Sequence, residues 1–296
     1  MLINSPGFNF HNVSVVTIVG VGLIGGSFAL ALKKSGYKGI IIGIDSKIDN
    51  LKMAKRLGLI DEYDSIESAT KKSNLIFLST PVSYTYDILC SIEPYLLNNT
   101  IITDVGSTKL DIVNAAYSVL GDRVSQFIPG HPIAGLEKAG PESAIPDLFN
   151  KQNVILTPLK ENSKENLDII NSFWVACGAN VISMSPTDHD CIFASVSHLP
   201  HFLSFMYMSY IASSDNVDLK LSLAGSGFRD FTRISAGSPG MWKDIFFANK
   251  KFINDELDGV LEMILRAKEA LDKDDQETIQ TILEKSSSAR LAWFKE

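Results

Sequence analysis

The sequence predicts an α/β fold, in which an N-terminal doubly wound sheet of the Rossmann type is followed by an all-α C-terminal region. Apolar strand patterns alternate with amphipathic helical patterns as far as residue 184, and a glycine-rich turn follows the first strand. No convincing strand pattern occurs after residue 184. Because buried strands separated by helices form parallel sheets, we divide the 296 residues into a sheet-containing domain, 1–184, and a helical domain, 185–296.

The strands of the first domain are predicted from short, continuous apolar runs, which are typical of strands buried on both faces. They are Val13–Val19, Gly39–Ile44, Asn74–Ser79, Thr100–Val105, Gln126–Ile128, Val154–Thr157 and Asn180–Met184. Amphipathic periodicity predicts helices between most of them, for example Leu23–Ser35, Lys47–Leu57, Tyr84–Leu97 and Lys109–Leu120. We expect the strands to form a parallel sheet that helices cover on both faces.

The helical domain is predicted to begin at a capped helix, with Ser185 as the N-cap and Pro186 at the first helical position. Asp188 can then reach back toward the cap. Further along the same helix, Pro200 is expected to cause a kink and to expose the carbonyl group near Val196.

A polar stripe is predicted on this otherwise apolar helix. At about 100° per residue, Asp190, Ser197 and His201 lie close to one line, although the register is approximate beyond Pro200. We interpret the stripe as one wall of a polar cleft between the two domains.

The composition excludes several classes of protein. Hydrophobic residues make up 45% and charged residues 21% of the chain, as in ordinary globular proteins, and the net charge of −7 argues against a general nucleic-acid binder. No apolar stretch has the length of a membrane span, and the N-terminal residues lack a signal-peptide pattern. Three cysteines without a CxxC pair are typical of a reducing compartment. We expect a soluble, cytoplasmic protein.

The glycine-rich turn predicts a dinucleotide site. Gly20 permits the tight turn, Gly22 lets the backbone approach a pyrophosphate, and Gly25 lets the helix pack closely on the strand. The helix begins at Leu23 and Ile24, and its N-terminus offers unpaired N–H groups to the phosphates.

The choice of cofactor is predicted from Asp45, which ends the second strand 25 residues after Gly20. Its carboxylate would accept hydrogen bonds from a ribose 2′-hydroxyl and repel a 2′-phosphate, which favours NAD over NADP. Lys47 nearby leaves a minor route to NADP. Thr80 and Pro81 follow the predicted strand Asn74–Ser79, where a Rossmann fold contacts its cofactor, although Pro81 would equally well begin a helix.

Two further motifs follow predicted strands at the edge where open α/β sheets bind ligands. Ser107 lies in Asp104-Val-Gly-Ser-Thr-Lys, where it is either a functional group or the N-cap of the next helix. His131 lies between a glycine and a proline, a position that core packing explains poorly. Its intrinsic pKa suits the removal of a hydroxyl proton near neutral pH.

The second domain contributes histidines and arginines. His198 and His201 are three residues apart near acids and could bind a metal, but no HExxH motif or cysteine cluster supports this, and we predict no metal site. Arg229 and Arg233 are spaced to share a helical face, which is either a solvated surface or part of a site.

Taken together, these motifs resemble the prephenate/arogenate dehydrogenase family over nearly the whole chain. The motifs are the glycine turn, Asp104-Val-Gly-Ser107, His131-Pro-Ile-Ala-Gly135, His198-Leu-Pro-His201 and Gly227-Phe-Arg229-Asp-Phe-Thr-Arg233. The resemblance implies a Rossmann domain and a helical domain through which two chains dimerise. It also implies an active site in the cleft between the domains.

The resemblance further implies roles for individual residues. His131 is similar to the catalytic histidine that bonds the ring hydroxyl, and Ser107 to its partner near the nicotinamide. Arg233, or less suitably Arg229, corresponds to the arginine that holds the ring carboxylate. The other residues implied at the substrate are His201 at the pyruvyl side chain, the acids Glu137 and Asp190 in an ionic network with that arginine, Ser226, and Trp242, which lines the site from this or the second subunit.

The implied reaction is the NAD-dependent oxidative decarboxylation of prephenate to 4-hydroxyphenylpyruvate, with arogenate or dual cyclohexadienyl specificity as the alternative. Ser226 stands where part of the family has an acidic residue that favours arogenate, so the sequence favours prephenate. A β-hydroxyacid dehydrogenase would need a lysine on the interdomain helix, where no lysine precedes Lys220. A non-catalytic NAD sensor would not need His131 and Arg233.

Overall fold

The computed structural model describes residue 10 and residues 13–136 and 138–293. Within these residues the chain forms nine strands, which we number in chain order. They are β1 Val15–Val19, β2 Ile40–Ile44, β3 Glu62–Tyr63, β4 Leu75–Leu78, β5 Ile101–Asp104, β6 Phe127–Ile128, β7 Gly130–Pro132, β8 Asn153–Leu156 and β9 Asn180–Ser183.

Thirteen α-helices lie in the same described residues. They are α1 Leu23–Lys34, α2 Ile48–Arg56, α3 Ile66–Thr70, α4 Thr85–Ile92, α5 Leu110–Leu120, α6 Lys164–Ala176, α7 Pro186–Phe193, α8 Leu199–Ala212, α9 Val217–Ser222, α10 Ser226–Thr232, α11 Pro239–Ala248, α12 Lys250–Asp272 and α13 Gln276–Trp293. A π-helical turn, Ala194–His198, joins α7 to α8. Short 3-10 helices lie at Val82–Tyr84, Glu93–Tyr95, Gly121–Gln126, Pro141–Ser143 and Arg233–Ala236.

The main sheet has six strands in the order β3-β2-β1-β4-β5-β6, and every pair is parallel. This confirms the predicted doubly wound sheet. Strand β1 lies between β2 and β4, so the chain builds one half of the sheet on one side of β1 and the other half on the opposite side. A crevice therefore opens at the carboxyl ends of β1 and β4, the place where such sheets bind ligands.

Two apolar cores hold helices against the two faces of this sheet. On one face Phe28 of α1 stacks on Phe77 of β4 with ring centroids 3.9 Å apart, and Trp174 of α6 packs against both rings. On the other face Leu89 of α4 and Ile112 of α5 are buried against the sheet. Large buried aromatic rings contribute strongly to such packing, so α1 is held firmly with its N-terminus at the crevice.

The last strands depart from the prediction. The segments at residues 154–157 and 180–184 were expected in the parallel sheet, but β8 and β9 form a separate three-stranded sheet with β7, a strand that the sequence analysis did not assign. The strand β7 runs antiparallel to β8, with His131 opposite Ile155. The sheet is divided because β6 is only two residues long and Pro129, which cannot donate a ladder hydrogen bond, separates it from β7.

The helical region begins as predicted. Ser185 is the N-cap of α7, its hydroxyl oxygen accepts a hydrogen bond from the Asp188 N–H at 3.0 Å, and Pro186 occupies the first helical position. Instead of a simple kink at Pro200, the chain forms the π-helical turn just before it. From Ser185 onward, the elements of the described residues are all helical, and none combines the length and the apolar character that a bilayer span requires.

Candidate active site

The glycine turn after β1 is pressed against the end of β4. Gly20 has a φ of +94°, and a Cβ atom there would lie 2.6 Å from the carbonyl oxygen of Ser79. A Cβ atom at Gly25 would lie 2.8 Å from Ile18 and 2.5 Å from the Ser79 hydroxyl. Both positions therefore require glycine, for the close approaches that the sequence predicts.

Gly22 faces open space instead. No atom lies within 4 Å of the position that its Cβ would occupy, and as the N-cap of α1 it has no capping side chain. Leu23 and Ile24 follow as the first helical residues and are half-buried. The uncapped helix N-terminus and the empty space beside it fit the pyrophosphate of a dinucleotide.

Asp45 lies beside this turn and is held by three donors. One carboxylate oxygen accepts from the Lys47 N–H at 2.9 Å and from the Asn50 amide at 3.2 Å. The other accepts from the Val21 N–H at 3.2 Å, which ties the end of β2 to the glycine turn. The carboxylate thus stands in the position expected for a ribose-binding acid.

Thr80 and Pro81 leave β4 next to the same turn. The Thr80 methyl group lies 3.0 Å from the position of a Cβ at Gly20. Pro81 also precedes the 3-10 helix Val82–Tyr84, as expected for a proline that begins a helix, and a contact of the pair with the cofactor stays a prediction.

His131 lies on β7 and is almost fully buried, with 9% of its surface exposed. Its Nδ1 lies 2.8 Å from Nε2 of His189, and Nδ1 of His189 lies 2.8 Å from Oδ1 of Asp190. The Asp190 carboxylate accepts hydrogen bonds from the N–H groups of Lys109 at 2.8 Å and Leu110 at 2.9 Å. These bonds connect His131 to the N-terminus of α5 through α7.

The buried surroundings keep these imidazoles neutral. Burial holds the pKa of His131 well below its usual range, with smaller contributions in the same direction from His189, Lys109 and His198. Burial also lowers the pKa of His189, against the opposing effect of its hydrogen bond to Asp190. Neutral imidazole is the form that accepts a proton.

A buried ion pair supports the strand that carries His131. Lys109 is fully buried, and its Nζ donates to Asp104 Oδ2 at 2.5 Å and to the Gly130 carbonyl at 2.7 Å. Asp104 also accepts from the N–H groups of Gly106 at 2.7 Å and Gly130 at 3.1 Å. Such a pair is tolerated in the interior because its charges are well hydrogen-bonded.

Ser107 lies half-buried in the loop between β5 and α5. It does not cap the helix: α5 begins at Leu110, and its N-cap, Lys109, makes no side-chain cap. The N-cap interpretation of Ser107 is therefore wrong. Within the described residues no hydrogen bond joins Ser107 to His131.

His201 is fixed on α8. Its Nδ1 lies 2.8 Å from the carbonyl oxygen of Ser197, and its ring stacks on Trp242 with centroids 3.7 Å apart. Trp242 is buried against this histidine of its own chain. Burial lowers the pKa of His201, against the opposing effect of its hydrogen bond to the Ser197 carbonyl, and the charge of Arg233 lowers it further.

The remaining predicted substrate residues differ in their surroundings. Arg233 begins a 3-10 helix, where its charge acts on His201, and Arg229 and Ser226 lie on α10; all three residues are exposed. Glu137 lies outside the described residues. Asp190 was expected in an ionic network with an arginine, but its carboxylate oxygens bind the N-terminus of α5 and His189 instead, because α7 packs against α5.

His198 is fully buried, and its Nδ1 lies 3.0 Å from the amide nitrogen of Asn249, which also donates to the Asp190 carbonyl at 2.8 Å. Burial lowers the pKa of His198 to about 4. His198 and His201 therefore have separate protein partners, and in the part of the chain that the structure describes no group of three or more His, Cys, Asp or Glu is arranged to hold a metal.

Four residues of the site were missed by sequence reasoning. Asp104 and Lys109 lie in the same motif as Ser107, and His189 precedes Asp190. In each case the neighbouring residue, Ser107 or Asp190, resembled a family position more closely. Asn249 has no sequence signal, since it is 59 residues from Asp190 in the chain.

Comparison with known proteins identifies the family. Residues 28–183 match the family described as prephenate dehydrogenase, nucleotide-binding domain, and residues 185–285 match prephenate dehydrogenase, dimerization domain. The chain belongs to the prephenate dehydrogenase family. The resemblance inferred from the sequence motifs is thereby confirmed.

Individual relatives of the family cover most of the chain. Prephenate dehydrogenase of Bacillus subtilis strain 168 is 36% identical over 267 residues, which are 89% of this chain and 72% of that protein. The crystal structure of Aquifex aeolicus prephenate dehydrogenase with hydroxyphenyl propionate and NAD+ has a TM-score of 0.88, 36% identity, and coverage of 95% of this chain and 98% of that one. Synechocystis arogenate dehydrogenase has a TM-score of 0.79 and 27% identity, with coverage of 94% and 99%.

Proposed function

We propose that this protein is an NAD-dependent prephenate dehydrogenase. It oxidatively decarboxylates prephenate to 4-hydroxyphenylpyruvate and CO2 in tyrosine biosynthesis. The observation that carries the proposal is a buried, neutral His131 at the ligand edge of a sheet whose glycine turn and Asp45 suit NAD. The family match and the relatives named as prephenate dehydrogenases support the same activity.

The cofactor site is formed by the end of β1, the start of α1 and the ends of β2 and β4. Its proposed residues are Gly20, Gly22, Leu23, Ile24, Gly25, Asp45, Thr80 and Pro81. NAD, when bound, takes up the hydride that leaves C4 of the substrate. Asp45 favours NAD over NADP, because its carboxylate binds a 2′-hydroxyl and repels a 2′-phosphate.

His131 acts as the base. The neutral imidazole accepts the proton of the C4 hydroxyl as the C–H bond at C4 breaks and a carbonyl group forms. The ring carboxylate then leaves as CO2, and its bonding electrons pass through the ring to the carbonyl oxygen. The ring becomes aromatic, and the oxygen, now a phenolate, takes back the proton held by His131 to become a phenol. Since aromatisation makes this loss strongly favourable, the protein needs no separate residue for decarboxylation. Ser107, on the neighbouring loop, is proposed to contact the hydroxyl near the nicotinamide.

Arg233 and His201 are proposed to hold the two carboxylates of prephenate. Arg233 takes the ring carboxylate, because its charge acts on His201. His201, fixed by its stack on Trp242, faces the pyruvyl side chain. These groups supply local positive charge in a protein whose net charge is −7.

The protein is proposed to act as a homodimer through its helical domain, with the domain boundary between residues 184 and 185. The matching family is named as a dimerization domain. Large apolar side chains are exposed along the last two helices: Leu261, Ile264, Leu265, Leu271, Leu283, Leu291 and Trp293. Exposed apolar surface of this kind marks interaction sites.

We place the protein in the cytoplasm. Its cysteines at positions 90, 177 and 191 are all free thiols in the structure, as expected in a reducing compartment.

The test is NADH formation by the purified protein with prephenate or arogenate, and with NAD or NADP. We expect turnover with prephenate and NAD. Turnover with arogenate alone would keep the family and overturn the preference drawn from Ser226. NADH binding without turnover on either substrate would contradict the proposal and favour a sensor or another hydroxyacid substrate.

A further inference from the structure

We propose that His189 is a positioning residue that fixes His131 in the tautomer whose Nε2 is free to accept the substrate proton. The inference rests on the proposed role of His131 as the base. It depends on the two contacts of 2.8 Å that link His131 to His189 and His189 to Asp190.

The direction of these bonds is set at Asp190. Both of its carboxylate oxygens accept backbone N–H groups at the N-terminus of α5, from Lys109 and Leu110. The positive end of the helix dipole favours the carboxylate form at this position. A carboxylate can only accept, so the contact with His189 requires that Nδ1 of His189 carry the hydrogen.

The tautomer of His131 follows from that of His189. A neutral imidazole carries one hydrogen, so Nε2 of His189 has none and can only accept. Nδ1 of His131 must therefore donate to it, which leaves Nε2 of His131 as the acceptor. Within the described residues Nε2 of His131 has no hydrogen-bond partner. It remains available for the C4 hydroxyl of the substrate.

The rings are also held in place by packing. Phe193 lies against His131 with ring centroids 5.0 Å apart and against His189 at 4.5 Å. A flip of either ring would replace a nitrogen by a C–H group and break the chain of hydrogen bonds. Packing and hydrogen bonding therefore select one orientation.

The neighbouring charged groups do not offer His189 another partner. The Lys109 ammonium group is engaged by Asp104 and the Gly130 carbonyl, and His198 is bonded to Asn249. In the opposite tautomer His131 would carry its hydrogen on Nε2 and could not take the hydroxyl proton. In the observed arrangement, the imidazolium formed in the reaction donates from Nδ1 to His189, which is the logic by which a carboxylate orients the histidine of a serine-protease triad.

Two amide variants separate the two ends of His189. In His189→Asn, the side-chain amide can take the place of Nδ1, so the bond to Asp190 is kept and the bond to His131 is lost. In His189→Gln, the amide reaches the place of Nε2 and its oxygen can accept from His131. We expect kcat to fall roughly 10²-fold in His189→Asn and by less than about 5-fold in His189→Gln, with the Kd for NADH changed less than about 3-fold in both.

The tautomer itself is measured by 15N NMR of the histidine-labelled protein, which has five histidines. The nitrogen shifts distinguish a protonated ring nitrogen from a bare one. We expect His131 to show a protonated Nδ1 and a bare Nε2 in the unaltered protein, and a mixture of tautomers in His189→Asn.

A hydrogen on Nε2 of His131 in the unaltered protein would overturn the proposal, and so would equal kcat values in the two variants. The NMR result stands if a variant fails to fold, since it is read from the unaltered protein. It is also independent of catalysis: if His131→Asn retained full turnover, the role of His131 as base would fail while the tautomer assignment could still hold.

Discussion

The cofactor turn and the histidine network lie at the same edge of the sheet but are built in different ways. The turn uses the backbone of a few consecutive residues, and its requirement is the absence of a Cβ at Gly20 and Gly25. The network uses side chains from β7 and α7 and backbone N–H groups at the N-terminus of α5, joined by hydrogen bonds between residues 58 to 81 positions apart. A local backbone site can be recognised as a motif, whereas a side-chain network depends on how the helices pack.

The difference has a consequence for mutation. In the turn, a Cβ at Gly20 or Gly25 meets backbone atoms, and one at Gly22 is expected to meet the cofactor, so the chemical nature of the replacement should matter little. In the network each atom has a defined donor or acceptor role, so isosteric replacements should have graded effects. Substitutions in the two sites should therefore differ both in size of effect and in the quantity that they change.

The largest effect is expected from His131→Asn. Loss of a positioned base should lower kcat by about 10²–10⁴-fold, while the Kd for NADH stays within a few-fold because the glycine turn is untouched. Steady-state kinetics and fluorescence titration with NADH measure the two quantities. Unchanged turnover would remove His131 from the mechanism.

Arg233→Ala should chiefly raise the KM for prephenate, by roughly 10–100-fold, since a charged hydrogen bond contributes about 1.5–3 kcal/mol. The carboxylate is charged before and after hydride transfer, so kcat should change less. Arg229→Ala is the matched control, one helical turn away, and should leave KM nearly unchanged. The reverse pattern would assign the ring carboxylate to Arg229.

Gly22→Ala and Gly20→Ala probe the backbone site. A methyl group at Gly22 meets no protein atom, so the melting temperature should be unchanged while the Kd for NADH rises about 10-fold, through crowding of the pyrophosphate. Gly20→Ala should lower the melting temperature as well, because its φ of +94° and the Ser79 carbonyl both exclude a Cβ. Equal NADH affinity in Gly22→Ala and the unaltered protein would contradict the proposed position of the phosphates.

The smallest effect is expected from pH. His131, His189, His198 and His201 all have a folded-state pKa below the usual value, that of His198 being about 4. Below pH 6.5 the unfolded chain therefore binds more protons than the folded one. Stability should be full above pH 6.5 and fall as the pH decreases toward 4.

Differential scanning calorimetry at pH 7.5 and pH 5 would measure this loss, which we expect to lower the melting temperature by roughly 5 °C or more. The Asp111 carboxyl has the opposite effect on stability, because burial raises its pKa, but it is one group against the four histidines. A melting temperature that is the same at both pH values would contradict the buried, neutral state of the histidines.

Elements that depend on local physics could be predicted from the residue pattern. Apolar runs placed seven of the nine described strands, and the Ser185-Pro186 cap placed the start of the helical region. The glycine turn and the acid after β2 predict the cofactor edge, because the glycines and Asp45 form a short pattern at a typical spacing. The atoms that exclude a Cβ at Gly20 nevertheless belong to Ser79, at the end of another strand. The motifs together also identified the family.

The way in which the remaining elements meet depends on tertiary packing. Residues 130–132 pair with β8 outside the parallel sheet, and a π-helical turn rather than a kink precedes Pro200. The packing of α7 on α5 brings Asp190 to a helix N-terminus and sets His189 between it and His131. These contacts join side chains that are far apart in the chain, and their hydrogen-bond roles exist only after the helices have docked, so no local pattern of residues encodes them.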